Sequence, residues 1–146
     1  MKKLAMATSV CAFVTMIGGG VAVAAGSGTV PTLSTTGASF TSGSYRFDPW
    51  PCSSACYKGS ISGFNYYGVL KDTASDGNSP FIHAKTDGYG HASRIYDHNG
   101  SGTSVSISQK VFDGSGDPAV EAQIQVCRDR GTLFADNCAS SSVFHR

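Results

Sequence analysis

The stretch VSISQKVFDGSGDPAVEAQIQVC, residues 105–127, contains two segments in which apolar and polar residues alternate. A period of two is typical of a β-strand with one face in a core and the other in water. The Gly-, Asp- and Pro-rich residues between the two segments supply turn chemistry. We therefore predict a β-hairpin, and its core-facing residues should be Val105, Ile107, Val111, Val120, Ala122, Ile124 and Val126.

Strand-like segments separated by turn residues continue on both sides of this stretch. No ten-residue window has the periodicity of an amphipathic helix, and the Asn99-Gly100 pair is a strong hairpin signal. Short strands at this spacing predict an all-β fold, an antiparallel sandwich or small barrel of about seven strands. Beyond the two segments above, strands are expected at residues 45–47, 57–71, 81–86, 91–96 and 141–144.

Residues 1–25 have the pattern of a secretory signal peptide. Lys2 and Lys3 precede an apolar run, and Ala22-Val23-Ala24 provides a small-residue cleavage site. A retained membrane anchor is the alternative, but three consecutive glycines and several hydroxyl residues make the run a poor membrane helix. We expect a secreted protein that has no membrane contact after cleavage.

The charge of the mature chain argues against several partners. Two of the eleven Lys and Arg residues lie in the signal segment, and none of the ten acids does. Nine basic and ten acidic residues therefore remain, which leaves no basic excess for nucleic acid or an anionic membrane.

The cysteine count indicates disulfides. Cys11 leaves with the signal, so Cys52, Cys56, Cys127 and Cys138 remain, an even number in an exported chain. Three connectivities are open; we favour Cys127 with Cys138, which flank a compact loop, and Cys52 with Cys56 by default. A metal site built on the Cys-x3-Cys pair and histidines is the alternative, although zinc cysteines are more usual in reducing compartments. We expect no metal and no cofactor.

Residues 26–44 carry no charge and few apolar side chains. Such a segment cannot offset its own ordering entropy, so it is predicted to be a flexible extension that precedes the β domain, residues 45–146. A sharper alternative is a segment that pairs with an exposed sheet edge of a partner, with Val30, Leu33 and Phe40 as its anchors.

Signals for catalysis are weak. His83, His91, His98 and His145 are scattered, and only Asp97-His98 places an acid beside a histidine, in a predicted turn. No Gly-x-Ser-x-Gly elbow is present. We expect a protein that is not an enzyme.

Two ligand patterns have simpler explanations. The sequence from Asp113 to Asp117 spaces oxygens as a calcium loop would, but it lacks the later Glu, so a plain turn is the better interpretation. Aromatic residues could form a sugar platform, but in small β proteins they are more often core. They are Trp50, Tyr57, Tyr66, Tyr67 and Tyr89, and the adjacent Tyr66 and Tyr67 must point to opposite faces.

The segment between Cys127 and Cys138 looks most like a binding surface. It contains Arg128, Arg130, Leu133 and Phe134, residue types that anchor protein interfaces. A disulfide-closed loop is preorganised, which lowers the entropy cost of binding. A stapled turn without a binding role is the alternative.

The chain also resembles a known group of proteins. Small exported actinobacterial β-sandwich proteins often end in Val-Cys-x-Asp, a short loop and Asp-x-Cys, here residues 126–129 and 136–138. Among them the chain resembles the small adaptor subunit of secreted umbrella toxin particles. The resemblance implies that residues 26–40 insert into a repeat-containing toxin subunit while the domain holds a lectin subunit.

These observations favour a secreted, non-enzymatic protein-interaction module, an adaptor that binds a larger partner through its N-terminal extension. Two alternatives remain. A proteinase inhibitor would present Arg130 or Leu133 on the disulfide-closed loop. A small sugar binder or hydrolase would use the tyrosines and His98.

Overall fold

The computed structural model describes residues 26–49, 62–87, 91–113 and 117–146. These residues form ten strands and no helix, and the strands belong to two antiparallel sheets. The strands are β1 Ser27–Val30, β2 Leu33–Thr35, β3 Ala38–Phe47, β4 Phe64–Asp72, β5 Pro80–Thr86, β6 Ile95–Tyr96, β7 Ser104–Val111, β8 Glu121–Arg128, β9 Asn137–Ser140 and β10 Phe144–His145. The predicted all-β class is confirmed, as an open sandwich and not a closed barrel.

The first sheet has the order β1-β3-β4-β7, and β2 also pairs with β3. β1 and β2 pair with successive halves of β3, so together they make one interrupted edge strand. The register between β3 and β4 shifts between Thr41 and Ser44, opposite Gly68. A Cβ atom on Gly68 would overlap the Phe40 ring, so the glycine lets the bulged strand close over that side chain.

The second sheet has the order β10-β8-β5-β6, and β9 also pairs with β8. Here β9 and β10 pair with the two ends of β8, as β1 and β2 do with β3. Alternate residues of β5 and β8 face the first sheet, among them Ile82, Ala84 and Ile124.

The core lies between the two sheets and is rich in aromatic rings. Phe47 and Phe64 pack with ring centroids 5.1 Å apart, and Tyr45 stacks on Phe144 at 4.3 Å, which joins the two sheets. Such pairs add to the stabilisation from burial alone. Tyr66 is buried in this cluster and Tyr67 is partly exposed on the other face, as their adjacency predicts.

The predicted hairpin of residues 105–127 is wrong. β7 pairs with β4 in the first sheet, and β8 pairs with β5, β9 and β10 in the second. Residues 112–120 lie between the two strands and are enough to span about 30 Å, well beyond the ~10 Å between packed sheets. Both strands turn their apolar sides to one core. The sequence alternation is therefore the same as it would be for two strands paired in a hairpin.

The predicted core faces of these two strands are largely confirmed. Ile107, Val111, Ala122, Ile124 and Val126 are buried, and Val105 packs against the core while partly exposed. Val120 is the error in the set: it is 49% exposed because it precedes β8, so the alternation does not extend to it.

The predicted flexible extension is also wrong. Residues 27–30, 33–35 and 38–44 are strand, and the boundary predicted at residue 45 falls inside β3. Two features let this polar segment fold: its backbone pairs with β3 or β4, and its few apolar side chains all enter the core.

The predicted signal segment 1–25, Cys52 and Cys56 lie outside the described residues. The second predicted disulfide therefore stays a prediction. Within the described ranges, no helix has the length and apolar character needed to cross a membrane.

Candidate functional site

The disulfide loop, residues 127–138, joins the paired ends of β8 and β9. Cys127 and Cys138 are directly opposite in the ladder and are joined by a disulfide, which confirms that predicted pairing. Inside the loop, the Gly131 amide donates to Asp129 Oδ1 at 2.8 Å and the Arg130 amide to Asp136 Oδ1 at 3.3 Å. The loop is thus held by a covalent bond at its base and hydrogen bonds above it.

The outer part of the loop presents apolar side chains to solvent. Leu133 is 87% exposed and Phe134 is 62% exposed. The Arg130 guanidinium lies over the Phe134 ring at 5.1 Å, and it forms no ion pair with the residues that the structure describes. Cation–π contacts at exposed sites contribute about 0.5–1 kcal/mol, so this one favours a particular arrangement of the two side chains.

Arg128 lies below this surface. It is the last residue of β8, is only 3% exposed, and forms an ion pair with Asp76. Its guanidinium packs over Gly37, where any Cβ would overlap it, and also donates to the Thr36 carbonyl at 3.4 Å. Arg128 was expected to anchor a partner; the structure instead makes it a support beneath the loop.

A pocket of about 580 Å³ opens beside the loop. Its wall combines the exposed Phe134 ring and Arg130 with the Arg128–Asp76 pair. The lining residues are Thr36, Asp76, Asn78, Arg128, Arg130, Phe134 and Asn137. Two further pockets, of about 430 and 440 Å³, adjoin the same loop.

Side chains from β6 and the segment before it brace the loop from the outer face of the second sheet. Arg94 lies over the Phe81 ring at 4.2 Å and pairs with Asp136 at 3.0 Å. The Tyr96 hydroxyl donates to Asp129 Oδ2 at 3.1 Å. Both acids belong to the loop, so its two arms are tied to the sheet beneath.

Histidines gather on the same outer face. His83 and His91 stack with ring centroids 3.9 Å apart, and His83 Nε2 lies 2.8 Å from Gln125 Oε1. Burial lowers the pKa of His83. Burial and the neighbouring His83, Lys85 and Arg94 lower the pKa of His91. The histidines are scattered in the sequence. The alternation in β5 could have placed Phe81 and His83 on the face opposite to its core residues, but it does not reach His91.

His98 does not form the pair with Asp97 that their adjacency allowed. Its ring stacks on Tyr96 at 4.9 Å, and its Nδ1 lies 3.0 Å from Ser79 Oγ. Asp97 is buried and accepts a hydrogen bond from Thr103 Oγ1 at 3.1 Å. The carboxylate is therefore used to hold the turn before β7.

The three apolar residues expected to anchor a partner from the extension are in the chain's own core. Val30 is 4% exposed, Leu33 is 7% exposed and Phe40 is fully buried. In the folded chain they have no surface to offer a partner, which overturns that expectation.

The other ligand patterns lie partly outside the described residues. Of the aromatic residues considered for a sugar platform, Trp50, Tyr57 and Tyr89 lie outside the described residues. Tyr66 is in the core, and this burial raises its pKa. Among the described residues, no group of three or more His, Cys, Asp or Glu side chains could hold a metal ion. Residues 114–116 of the calcium-like stretch are not described.

No protein-family model matches the chain, and comparisons with curated proteins and with solved structures find no similar protein. Function must therefore be argued from the loop and the pocket.

Proposed function

We propose that this chain is an exported, non-enzymatic protein-interaction module that binds its partner through the disulfide loop. The observation that carries the proposal is the exposure of Leu133 and Phe134, 87% and 62%, on a loop closed by a disulfide. Two adjacent large apolar side chains in solvent lose contact with water when a partner covers them. Each would contribute about 1.5–3 kcal/mol on full burial.

The loop meets two further requirements of a binding site. Its conformation is fixed by the disulfide and by the bonds to Asp129 and Asp136, so little order has to be gained on binding. It also offers an arginine and a phenylalanine in contact, two residue types that are enriched at interfaces.

These side chains define the chemistry of the partner surface. An apolar cleft would receive Leu133 and Phe134, and a carboxylate at its rim would pair with Arg130. Arginine pairs with carboxylates in a planar, two-bonded geometry, which would set the orientation of the complex.

The resemblance to the adaptor subunit of umbrella toxin particles supports a larger secreted partner, with a repeat-containing toxin subunit or a lectin subunit as the type. The signal-like residues 1–25 support export. The contact is assigned to the disulfide loop because residues 26–40 already pair within their own sheet. Insertion of that segment into a partner is therefore not carried forward.

Proteinase inhibition is the second candidate, since the same exposed Leu133 could enter the specificity pocket of a protease. Titration of purified protein against a panel of serine proteases and metalloproteases tests it. Stoichiometric inhibition that is lost in Leu133→Asp would favour the inhibitor over the adaptor.

The main proposal is tested by capture from the native culture supernatant, followed by affinity measurement with the purified captured protein. We expect Leu133→Ala with Phe134→Ala to weaken binding at least tenfold. Opening the loop with Cys127→Ser and Cys138→Ser should also weaken it. Val143→Ala is the matched control, because Val143 is 43% exposed on the segment between β9 and β10.

Unchanged affinity in the double loop variant would refute the proposal. An equal loss in Val143→Ala would also refute it, since the binding surface would then lie elsewhere.

A further inference from the structure

We propose that the pocket beside the disulfide loop binds a glycan, with the sugar ring against Phe134 and its hydroxyls bonded to Asp76, Asn78 and Asn137. The pocket is open to solvent. Its volume of about 580 Å³ is within the usual range of about 300–1,000 Å³ for ligand sites. The site shares Phe134 and Arg130 with the protein-binding surface proposed above, but Leu133 does not line it, so a Leu133 variant distinguishes the two roles.

The first element of the site is a carboxylate held in one position. Asp76 Oδ1 accepts from the Asn78 amide at 3.1 Å and pairs with Arg128, and Oδ2 accepts from Asn78 Nδ2 at 3.0 Å. A carboxylate has about four acceptor positions. Three are used within the protein, while the side chain stays 46% exposed. One acceptor position on Oδ2 remains, and a sugar hydroxyl is a suitable donor for it.

The second element is the support behind that carboxylate. Arg128 is 3% exposed and rests on Gly37, whose φ of 87° and missing Cβ leave room for the guanidinium. A buried guanidinium is costly unless an acid pairs with it, and Asp76 supplies that pair while its own side chain stays 46% exposed. Arg128 thus holds the Asp76 carboxylate in place in the lining of the pocket.

The third element is an apolar surface in the lining of the same pocket. The Phe134 ring is 62% exposed, and the Arg130 guanidinium lies over one of its two faces at 5.1 Å. Sugar rings have an apolar C–H face as well as a hydroxyl edge, and the negative face of an aromatic ring attracts C–H groups. The pocket offers both surfaces at once.

The fourth element is a pair of side-chain amides. Each amide can donate and accept, as a sugar hydroxyl can. Asn78 is fixed by Asp76, whereas the Asn137 side chain makes no hydrogen bond to the residues that the structure describes. Asn137 is paired with Arg128 across the β8–β9 ladder, and both residues line the pocket.

The test uses the purified mature protein on a printed array of oligosaccharides that end in glucose, galactose, mannose or N-acetylglucosamine. Each glycan that binds is then titrated in solution by calorimetry. We expect Phe134→Ala and Asn137→Ala each to weaken glycan binding at least tenfold, because the first removes the apolar surface and the second a free amide. Leu133→Ala, on the same loop but outside the pocket, should leave glycan binding unchanged.

Asp76→Asn keeps the shape of the side chain and removes its charge, so it should also weaken binding while keeping a cooperative melting transition. If it fails to fold, the two other pocket variants decide the outcome, since Phe134 is an exposed side chain and Asn137 is partly exposed.

An array without any bound glycan would overturn the proposal, as would glycan binding that survives Phe134→Ala and Asn137→Ala. A loss of binding in Leu133→Ala would overturn it too, because the contact would then be the protein-binding surface. Protein capture depends on Leu133 and glycan binding does not, so each proposal can fail without the other.

Discussion

At one end of the sandwich the carboxylate of Asp48 is 3% exposed and surrounded by donors, whereas at the other end Leu133 of the disulfide loop is 87% exposed. Asp48 Oδ2 accepts from the Gly63 amide at 3.1 Å and pairs with Lys110 at 3.0 Å, and Oδ1 accepts from Asn65 at 2.9 Å. Burial by itself would raise the pKa of Asp48, but the bonds from Lys110, Asn65 and Gly63 outweigh it and lower the pKa.

Arg146 completes this Asp48 cluster. Its guanidinium donates to the carbonyl oxygens of Asp48 and Ala119 and to Ser62 Oγ, and lies over the Phe47 ring at 5.5 Å. Ser62 Oγ in turn donates to the Asp48 carbonyl at 2.8 Å. The C-terminal residue thus joins the second sheet to the first.

The disulfide loop is organised differently. The buried Arg128 and the disulfide hold a surface that keeps large apolar side chains and the Arg130 guanidinium in solvent. The comparison shows two uses of ordered side chains. Polar groups that find their hydrogen-bond partners within the fold stabilise the fold, whereas ordered side chains left in solvent can contribute to the free energy of binding a ligand.

The largest expected effect compares one phenylalanine from each setting. Phe40→Ala should lower the free energy of unfolding by about 3–5 kcal/mol, because it removes a fully buried ring that faces Gly68. Phe134→Ala should lower it by less than about 1 kcal/mol, since its ring is largely in solvent. Urea denaturation measures both; equal losses would mean that residues 26–40 are not an integral part of the sheet.

The second comparison uses two ion pairs of the same length. Lys110–Asp48 and Arg94–Asp136 both span 3.0 Å, but the Asp48 side chain is 4% exposed and that of Arg94 is 44% exposed. Asp48→Ala should cost about 3 kcal/mol, because it leaves buried donors without an acceptor. Asp136→Ala should cost under about 1 kcal/mol, as surface pairs do. Thermal melts at neutral pH check this, and a reversed order would contradict the roles assigned to the two ends.

The smallest expected effect is the pH dependence of stability that comes from the stacked pair His83 and His91, near Arg94. Both pKa values are lowered from 6.5, so below about pH 6.5 the unfolded chain binds protons before the folded chain does. The free energy of unfolding should therefore fall as the pH drops from 6.5 towards the lowered values. Arg94 disfavours the charged form of both imidazoles, and Lys85 disfavours that of His91. Gln125 and Asp136 favour the charged form of His83, without offsetting its burial.

The change in stability between pH 7.5 and pH 5.5 measures this effect. The variant His83→Gln with His91→Gln should be less sensitive to acid than the parent chain. The same acid sensitivity in both proteins would show that the stacked pair has no part in it.

Local patterns in the sequence were sufficient for the strand faces and for one disulfide. The alternation of Ala122, Ile124 and Val126 sets which side chains are buried, because successive Cβ atoms of any strand point to opposite faces. The spacing of Cys127 and Cys138 identified the loop, and its Arg130, Leu133 and Phe134 are at its surface, as a binding loop requires.

Partners that are distant in the chain could be found only in the tertiary structure. The same alternation fits β7 and β8 whether they pair or cross between sheets, because a hydrophobic face does not specify which strand edge lies beside it. The polar segment 26–44 is strand because β3 and β4 provide its hydrogen bonds. The Asp48 cluster, the buried Arg128 over Gly37 and the stacked histidines likewise depend on residues brought together from separate strands.

The sequence by itself thus determined the class of fold, the buried faces and the position of the loop, all of which follow from short-range geometry. The tertiary structure decided the strand order, the role of the N-terminal segment and the pocket beside the loop. These depend on contacts between residues far apart in the chain. Such contacts contribute to stability only once both sheets have formed.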